Sequence, residues 1–175
     1  VELKQDYAAA QYNLGVAYRS LGQNDSAMNC FKKAININPA YPDAHNNLGL
    51  ILLQDQQIID AVEHFEWAVA YKPEFAAAHN NLGAALQELR KYDESINSYK
   101  KAVEINPAYA QAHNNLGISY QIIGDKNKSI EHYEKALSIK SNYAQVHHDL
   151  SALKIYESND PQIKTIEKLL SDEKT

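Results

Sequence analysis

The chain has 175 residues, 45% of them hydrophobic, and a formal net charge of −5 at pH 7. That acidity argues against nucleic acid as a main partner, because phosphate binding requires a basic face. No apolar run approaches the roughly 20 residues of a membrane-spanning helix, so no membrane association is predicted. The lone cysteine, Cys30, excludes a disulfide framework, and the opening residues lack the apolar core of a signal peptide. We therefore predict a cytoplasmic protein.

A hexapeptide that returns every 34 residues is the main feature of the sequence. Ala-His-Asn-Asn-Leu-Gly occurs at 44–49, 78–83 and 112–117, with looser copies at 10–15 and 146–151. Self-similarity at a fixed period of this size indicates a repeat array, in which each unit buries its apolar face against its neighbours.

Each repeat divides into two amphipathic helices. In the second repeat, His45, Leu48 and Leu52 have the spacing of one helical face, and Ala61 and Phe65 begin the same pattern after a polar turn. Proline follows the second helix of most repeats and disfavours a helical conformation in the residue before it. The predicted pairs, in chain order, are 8–20 and 24–37, 42–54 and 58–71, 76–88 and 92–105, 110–122 and 126–139, and 144–157 and 161–171.

Turn and cap residues support these boundaries. Gly22 and Gly124 stand between the two helices of their repeats, where a left-handed residue is often needed. Asp160 and Pro161 are suited to the N-cap and the first position of the last helix.

The repeats divide the whole chain. Residues 1–8 parallel residues 103–110, so we expect the chain to begin inside a helix of an upstream repeat and to be a piece of a longer protein. The degenerate last repeat, with Ser151 in place of glycine, is expected to act as a cap. The predicted segments are 1–7 (tail of the upstream repeat), 8–41, 42–75, 76–109, 110–143 (four repeats) and 144–175 (terminal repeat).

A glycine recurs in the middle of the first helix, where it costs about 1 kcal/mol relative to alanine. The choice predicts that the partner helix approaches too closely for a side chain. A ring recurs on that partner helix, and small residues against rings pack with little void. The glycines are Gly15, Gly49, Gly83 and Gly117; the rings are Phe31, Phe65, Tyr99 and Tyr133.

This pattern resembles the tetratricopeptide repeat. The residues that carry the resemblance in the second repeat are Leu48-Gly49, Leu52, Ala61, Phe65, Ala68 and Pro73. The resemblance covers essentially the whole chain and implies an all-α fold, a right-handed superhelix of stacked antiparallel helix pairs with about ten helices. It implies a protein-interaction module without naming a particular partner. One departure is that Gln11, His45, His79 and His113 replace a large aromatic residue.

The second asparagine of the hexapeptide lies on the face opposite the packing residues, since Asn47 is about 160° from His45 on a helix. In the resembling family this face lines a concave groove. The predicted ligand-binding ladder is Asn13, Asn47, Asn81, Asn115 and Asp149; a second, parallel row is Tyr12, Asn46, Asn80, Asn114 and His148. Arg19 is the main expected cation, so the groove does not resemble the basic clamps that hold acidic C-termini of chaperones.

A ladder of carboxamides is suited to main-chain recognition. Each carboxamide offers two donors and an acceptor, so it can pair with both sides of a peptide bond. Packed helices lie about 8–10 Å apart and an extended chain rises about 3.3 Å per residue, so one asparagine could meet every third peptide group. The row resembles that of O-linked N-acetylglucosamine transferases, which implies that it holds polypeptides by their backbones. The alternative is a solvated face, or hydrogen bonding within the helix stack.

No catalytic constellation is visible, because no paired nucleophile, glycine-rich phosphate loop or set of convergent carboxylates occurs. We predict no enzyme activity and no cofactor. The recurring histidines lie one repeat apart, too far to share a zinc ion, so a hydrogen-bonded packing role is predicted and no metal site.

Two alternative functions remain open. Residues 150–163 resemble the junction of bacterial tetratricopeptide-sulfotransferase proteins, so the array could recruit substrates for a larger transferase. Trp67 stands where sister repeats carry lysine, and tryptophan is enriched at interfaces. The second alternative is a self-assembly scaffold, a weak homo-oligomer formed through Trp67 or through the open N-terminal end. A partner contact at Trp67 also remains open.

Overall fold

The computed structural model describes residues 2–154 and 161–172. Within these ranges the chain forms ten α-helices and no strand, so the predicted all-α class of stacked antiparallel helix pairs is confirmed. Helices α2 to α8 begin and end where the sequence pattern predicts. The helices are α1 Glu2–Ser20, α2 Asn24–Ile37, α3 Pro42–Gln54, α4 Ile58–Tyr71, α5 Ala76–Glu88, α6 Tyr92–Ile105, α7 Ala110–Ile122, α8 Lys126–Ile139, α9 Ala144–Leu153 and α10 Pro161–Asp172.

Three boundaries differ from the prediction, and one of them only by a single residue, since α10 ends at Asp172 rather than at residue 171. Helix α1 begins at Glu2 rather than near residue 8, because Gln5 stands where the parallel segment has the helix-breaking Pro107. Helix α9 ends at Leu153, and Lys154 is extended with φ −98° and ψ 137°. The predicted continuation to 157 and the predicted cap at Asp160 lie outside the described residues.

The turn between the two helices contains one residue with positive φ in each of the first four repeats. Gly22 and Gly124 have φ values of 73° and 82°, as their glycines predict. Gln56 and Arg90 occupy the same position in the second and third repeats, with φ values of 61° and 59°. An L-residue is strained there, and the sequence pattern does not signal these two positions.

Residues Val1–Ser98 form the first of two compact units. Within it α1 packs on α2 and α3 on α4, while α2 contacts α3 and α4 contacts α5. The rings of Phe31 and Phe65 are fully buried. A Cβ atom on Gly15 or Gly49 would lie 2.7 Å from the ring of Phe31 or Phe65. The predicted close approach of the paired helices is therefore confirmed for these two repeats.

Residues Tyr99–Thr175 form the second compact unit. Here α7 packs on α8 and α8 on α9, around a core of Tyr133, Ala136, Val146 and Leu150. A Cβ on Gly117 would lie 2.5 Å from the Tyr133 ring. The buried Ser129 hydroxyl donates to the Gly117 carbonyl at 2.8 Å, which ties the two helices together at the point of closest approach.

Over the described part of the chain, no helix has both the length and the apolar character needed to cross a membrane.

Candidate functional site

The packing face of the first helices carries the histidines. His45 and His113 are 5% and 6% exposed, and their Nε2 atoms lie 3.0 and 3.1 Å from the carbonyl oxygens of Pro39 and Pro107. His147 makes the same contact with the carbonyl of Ser141 at 2.7 Å. The predicted hydrogen-bonded packing role is confirmed for these residues. Among the residues described, no group of three His, Cys, Asp or Glu could hold a metal ion.

Two of these packing histidines each contact a second histidine. The sequence analysis did not predict these contacts. The Nδ1 atoms of His113 and His132 lie 3.1 Å apart, and those of His45 and His64 lie 3.0 Å apart. A carbonyl oxygen only accepts, so His113 carries its proton on Nε2 and its Nδ1 accepts from His132. Burial, followed by the charge of His113, lowers the pKa of His132 to about 4.

The opposite face of the first helices carries the ladder. In the first unit Asn13 on α1 is exposed, while Asn47 on α3 and Asn81 on α5 are half-buried. The two half-buried carboxamides are held by other side chains, and each is bonded to a residue 35 positions earlier in the chain.

Both polar atoms of the Asn47 side chain have hydrogen-bond partners within the protein. Its Nδ2 donates to the carbonyl of Asp43 at 2.8 Å and to the Tyr12 hydroxyl at 3.2 Å. Its Oδ1 accepts from the guanidinium of Arg19. Burial, followed by the charge of Asp43, raises the pKa of Tyr12, so its hydroxyl keeps its proton. The structure thus brings together three of the predicted site residues, Tyr12, Arg19 and Asn47.

Asn81 makes a simpler contact. Its Nδ2 donates to Oδ1 of Asn46 at 2.9 Å, and its other N–H and its Oδ1 have no partner among the described side chains. Asn46 is only 7% exposed, because it packs between successive first helices. Its carboxamide serves the link between repeats.

The burial of its asparagines corrects the prediction that the second row binds a ligand. Asn46, Asn80 and Asn114 are 7%, 6% and 4% exposed. They do not lie open beside the ladder, since each faces about 100° away from its ladder neighbour on the helix. These three residues have little surface to offer a ligand. Tyr12 is half-buried and remains partly accessible.

In the second unit Asn115 and Asp149 occupy the ladder positions and are half-buried. Asn115 Oδ1 accepts from Gln111 Nε2 at 3.2 Å. Asp149 Oδ1 accepts from Gln145 Nε2 at 2.9 Å and from His148 Nδ1 at 3.0 Å. The buried Asn114 Oδ1 has no hydrogen-bond partner.

Trp67 lies on α4 and is 45% exposed. Its ring stacks on Tyr71, with centroids 5.5 Å apart and planes 17° from parallel. The neighbouring His45 ring is tilted against both. The indole is therefore held by an intramolecular stack and still presents about half of its surface to solvent.

Solved structures with the same fold are numerous. The crystal structure of MamA is 27% identical, covers 92% of this chain and 95% of its own, and has a TM-score of 0.78. PilF of Pseudomonas aeruginosa is 23% identical over 96% of this chain and 77% of its own, with a TM-score of 0.82. The first TPR of Spaghetti (RPAP3), bound to the HSP90 peptide SRMEEVD, is 24% identical over 68% of this chain and 94% of its own, with a TM-score of 0.66. A search of curated protein sequences gave no significant match.

Family models agree with these structures. A model described as TPR repeat matches residues 15–56, and two described as Tetratricopeptide repeat match 47–86 and 74–142. Together they cover residues 15–142 without a gap. They bear on the repeat fold and not on the narrower resemblance to glycosyl- or sulfotransferase proteins, which stays a prediction. The chain belongs to the tetratricopeptide repeat family.

Proposed function

We propose that this chain is a protein-interaction module that binds an extended polypeptide along the ladder face of its first helices. Membership of the tetratricopeptide family supports a protein or peptide partner. The peptide held by the Spaghetti (RPAP3) neighbour supports the view that this fold can hold a peptide. We propose a binding role without catalysis or a cofactor, in the cytoplasm.

The hydrogen bonding of the Asn81 side chain is the observation that best supports this proposal. One of its N–H groups is anchored on the buried Asn46 at 2.9 Å, which fixes the orientation of the carboxamide. The remaining N–H can then donate to the carbonyl of one peptide unit, and the Oδ1 can accept from its N–H. Because the side chain is already ordered, binding costs less conformational entropy than it would at a free surface asparagine.

The Asn47 position differs in what it offers. Both N–H groups and the Oδ1 of Asn47 are occupied in the free protein. The exposed guanidinium of Arg19 has five N–H donors, and only one of its nitrogens contacts Asn47. We therefore propose that Arg19, held by Asn47, donates to a peptide carbonyl at this point of the ladder.

The decisive experiment compares two variants that break the same hydrogen bond. Asn81→Ala removes the bond and the accessible carboxamide, whereas Asn46→Ala removes the bond and leaves the Asn81 carboxamide at the surface. The probe is an immobilised array of random 12-residue peptides. Loss of two neutral hydrogen bonds to the ligand corresponds to about a tenfold loss of affinity. We expect that loss for Asn81→Ala, and a smaller effect for Asn46→Ala.

Thermal denaturation of both variants separates binding from folding. Each loses one inter-repeat hydrogen bond, which contributes about 1 kcal/mol, so the two should lose similar stability. Equal losses of peptide capture in the two variants would show that Asn81 acts only within the fold. That result would overturn the proposal.

Main-chain recognition has its own test. A captured peptide is resynthesised with single N-methyl groups along its backbone, and separately with single alanine substitutions. Binding that depends on backbone donors should fall at about every third N-methylated position and be less sensitive to alanine. Sensitivity confined to one side chain would contradict recognition through the ladder.

A further inference from the structure

Two histidines meet within the second repeat, one from each of its helices. The Nδ1 atoms of His45 on α3 and His64 on α4 lie 3.0 Å apart. The Nε2 atom of His45 lies 3.0 Å from the carbonyl oxygen of Pro39. Since a carbonyl only accepts, His45 carries its proton on Nε2 and the lone pair of its Nδ1 faces His64. A backbone carbonyl that holds the distal N–H of an imidazole is a typical second-shell partner of a metal-binding histidine.

The separation of these two nitrogens fits adjacent ligands of one metal ion. Metal–imidazole bonds are about 2.0–2.1 Å long, so two nitrogens at a right angle lie about 2.9 Å apart, and two at the tetrahedral angle about 3.3 Å apart. The observed 3.0 Å is closer to the right-angled value. Right-angled nitrogen and oxygen ligands are typical of Cu²⁺ and Ni²⁺, of which Cu²⁺ is bound more tightly.

The second histidine of the pair is specific to two repeats and follows a glutamate in both. Glu63-His64 and Glu131-His132 occupy the same position of the period in the second and fourth repeats. The pair of His113 and His132 has the same geometry, with 3.1 Å between the Nδ1 atoms. The third repeat carries Asn97-Ser98 at this position. Glutamate and histidine are therefore present together or replaced together.

The charges around the second-repeat pair favour a cation. Glu63 lies near enough to act on both imidazoles and Asp60 on His64, while Lys32 of the preceding repeat opposes them. Burial lowers the pKa of His45 and of His64 below the ordinary value. Both imidazoles are therefore neutral at pH 7, which is the form that binds a metal ion.

The fourth-repeat pair lies among more positive groups. It lines a groove of about 480 Å³ together with Lys100 and Lys135, so a histidine pair in this register can be reached from the surface. Lys128 and Lys135 stand where the second repeat has Asp60 and Trp67. The second repeat is therefore the more favourable of the two for a cation.

We propose that His45 and His64 form a binding site for one Cu²⁺ ion, which joins α3 to α4. Histidines one repeat apart are too far from each other for one ion, but these two belong to the same repeat. When the ion binds, the proton on Nδ1 of His64 is exchanged through solvent for one on its Nε2, and both Nδ1 lone pairs then face the ion. Because no third His, Cys, Asp or Glu joins the pair within the described residues, water occupies the other positions. The site lies on the packing face and does not rest on the proposed peptide groove.

The first test uses Trp67, the only tryptophan of the chain. Its ring centroid lies 6.4 Å from that of His45, close enough for a bound Cu²⁺ ion to quench its fluorescence. Copper sulfate is titrated at pH 7.5 into wild type, His64→Ser and the matched control His132→Ser. Each variant introduces the residue that the third repeat has at this position, Ser98.

We expect saturable quenching in wild type and an unchanged dissociation constant in His132→Ser. Loss of a second-shell partner alone costs about 10–100-fold in metal affinity, so loss of a ligand in His64→Ser should raise the dissociation constant by more than about tenfold. Equal quenching in wild type and in folded His64→Ser would show that the ion binds elsewhere and would overturn the proposal.

Electron paramagnetic resonance identifies the ligands and does not depend on the folding of His64→Ser. His132→Ser retains only the second-repeat pair and is loaded with half an equivalent of Cu²⁺. Its spectrum should be tetragonal, with superhyperfine coupling to two nitrogens. A spectrum with oxygen ligands only, or with a single nitrogen, would contradict the site.

Discussion

At the scale of single residues, adjacent asparagines in the hexapeptide have different tasks. Asn46 and the following Asn47 point about 100° apart on α3. The first is 7% exposed and accepts from Asn81 in the next repeat. The second is half-buried and organises Tyr12 and Arg19 around itself. One side chain joins repeats and its neighbour orders the surface where we propose that a ligand binds.

The histidine pair of the second unit predicts a pH-dependent stability. His132 has its pKa lowered from 6.5 to about 4 by burial and by His113, with Lys135 and Lys100 acting in the same direction and Glu131 opposing them. Protonating His113 would turn its Nδ1 into a second donor facing the His132 N–H. The folded state therefore favours neutral imidazoles, while the unfolded chain binds protons near pH 6.5. Stability is fully present above about pH 6.5 and should fall as the pH decreases toward 4.

Urea denaturation at several pH values between 7.5 and 4 measures this effect. His132→Phe keeps a ring against Tyr120, with which His132 now stacks at 5.5 Å, and removes the titrating group. The variant should be less stable than wild type at pH 7.5 because a hydrogen bond is lost, and its stability should fall less steeply on acidification. Parallel curves for the two proteins would contradict this account.

At the scale of elements, the turns inside the first four repeats share one geometry although their sequences differ. The N–H that follows the positive-φ residue bonds back to a carbonyl five residues earlier, at 2.8–2.9 Å in every case: Gln23 to Tyr18, Gln57 to Leu52, Lys91 to Leu86 and Asp125 to Tyr120. This bond is the Schellman closure of a helix C-terminus. The closure imposes a left-handed residue even where the chain carries Gln56 or Arg90.

Replacing Gln56 with glycine should stabilise the protein. The left-handed conformation costs an L-residue about 1–2 kcal/mol, and glycine loses about 0.5–1 kcal/mol more backbone entropy on folding. We expect Gln56→Gly to raise the free energy of unfolding by about 0.5–1 kcal/mol, measured by urea denaturation. Gly22→Ala, at the equivalent turn, is the matched control and should destabilise. A destabilising Gln56→Gly would show that the glutamine side chain has a compensating contact.

At the scale of the whole molecule, the described helices repeat one pair-packing scheme, with a mid-helix glycine against a buried ring in three of the repeats. The second helix of three repeats carries lysine at one equivalent position, and these residues are Lys33, Lys101 and Lys135. The second repeat carries Trp67 at that position. At this position the second repeat therefore exposes about half of an indole ring where its sisters carry a lysine.

Self-association through Trp67 stays a prediction from the sequence, and it has a direct measurement. Sedimentation velocity over a hundredfold range of concentration should show a sedimentation coefficient that rises with concentration in wild type. Trp67→Lys introduces the residue of the sister repeats and should abolish that rise with little effect on helicity. A strict monomer at the highest concentration would exclude this contact between copies.

The sequence by itself determined the period, the helix pairs and the bounds of α2 to α8, because helix formation and termination depend on neighbours within a few positions. It also indicated the glycine–ring packing. Glycine destabilises a helix interior, so its repetition at Gly15, Gly49 and Gly117 indicates a steric requirement for the missing side chain. Only the tertiary structure decided which asparagines are buried, which histidines meet His45 and His113, and that Gln56 is left-handed. These outcomes depend on contacts between different helices, 19 or 35 residues apart, and on turn closure. The unpartnered Oδ1 of Asn114 belongs with them, because its burial depends on packing against other helices.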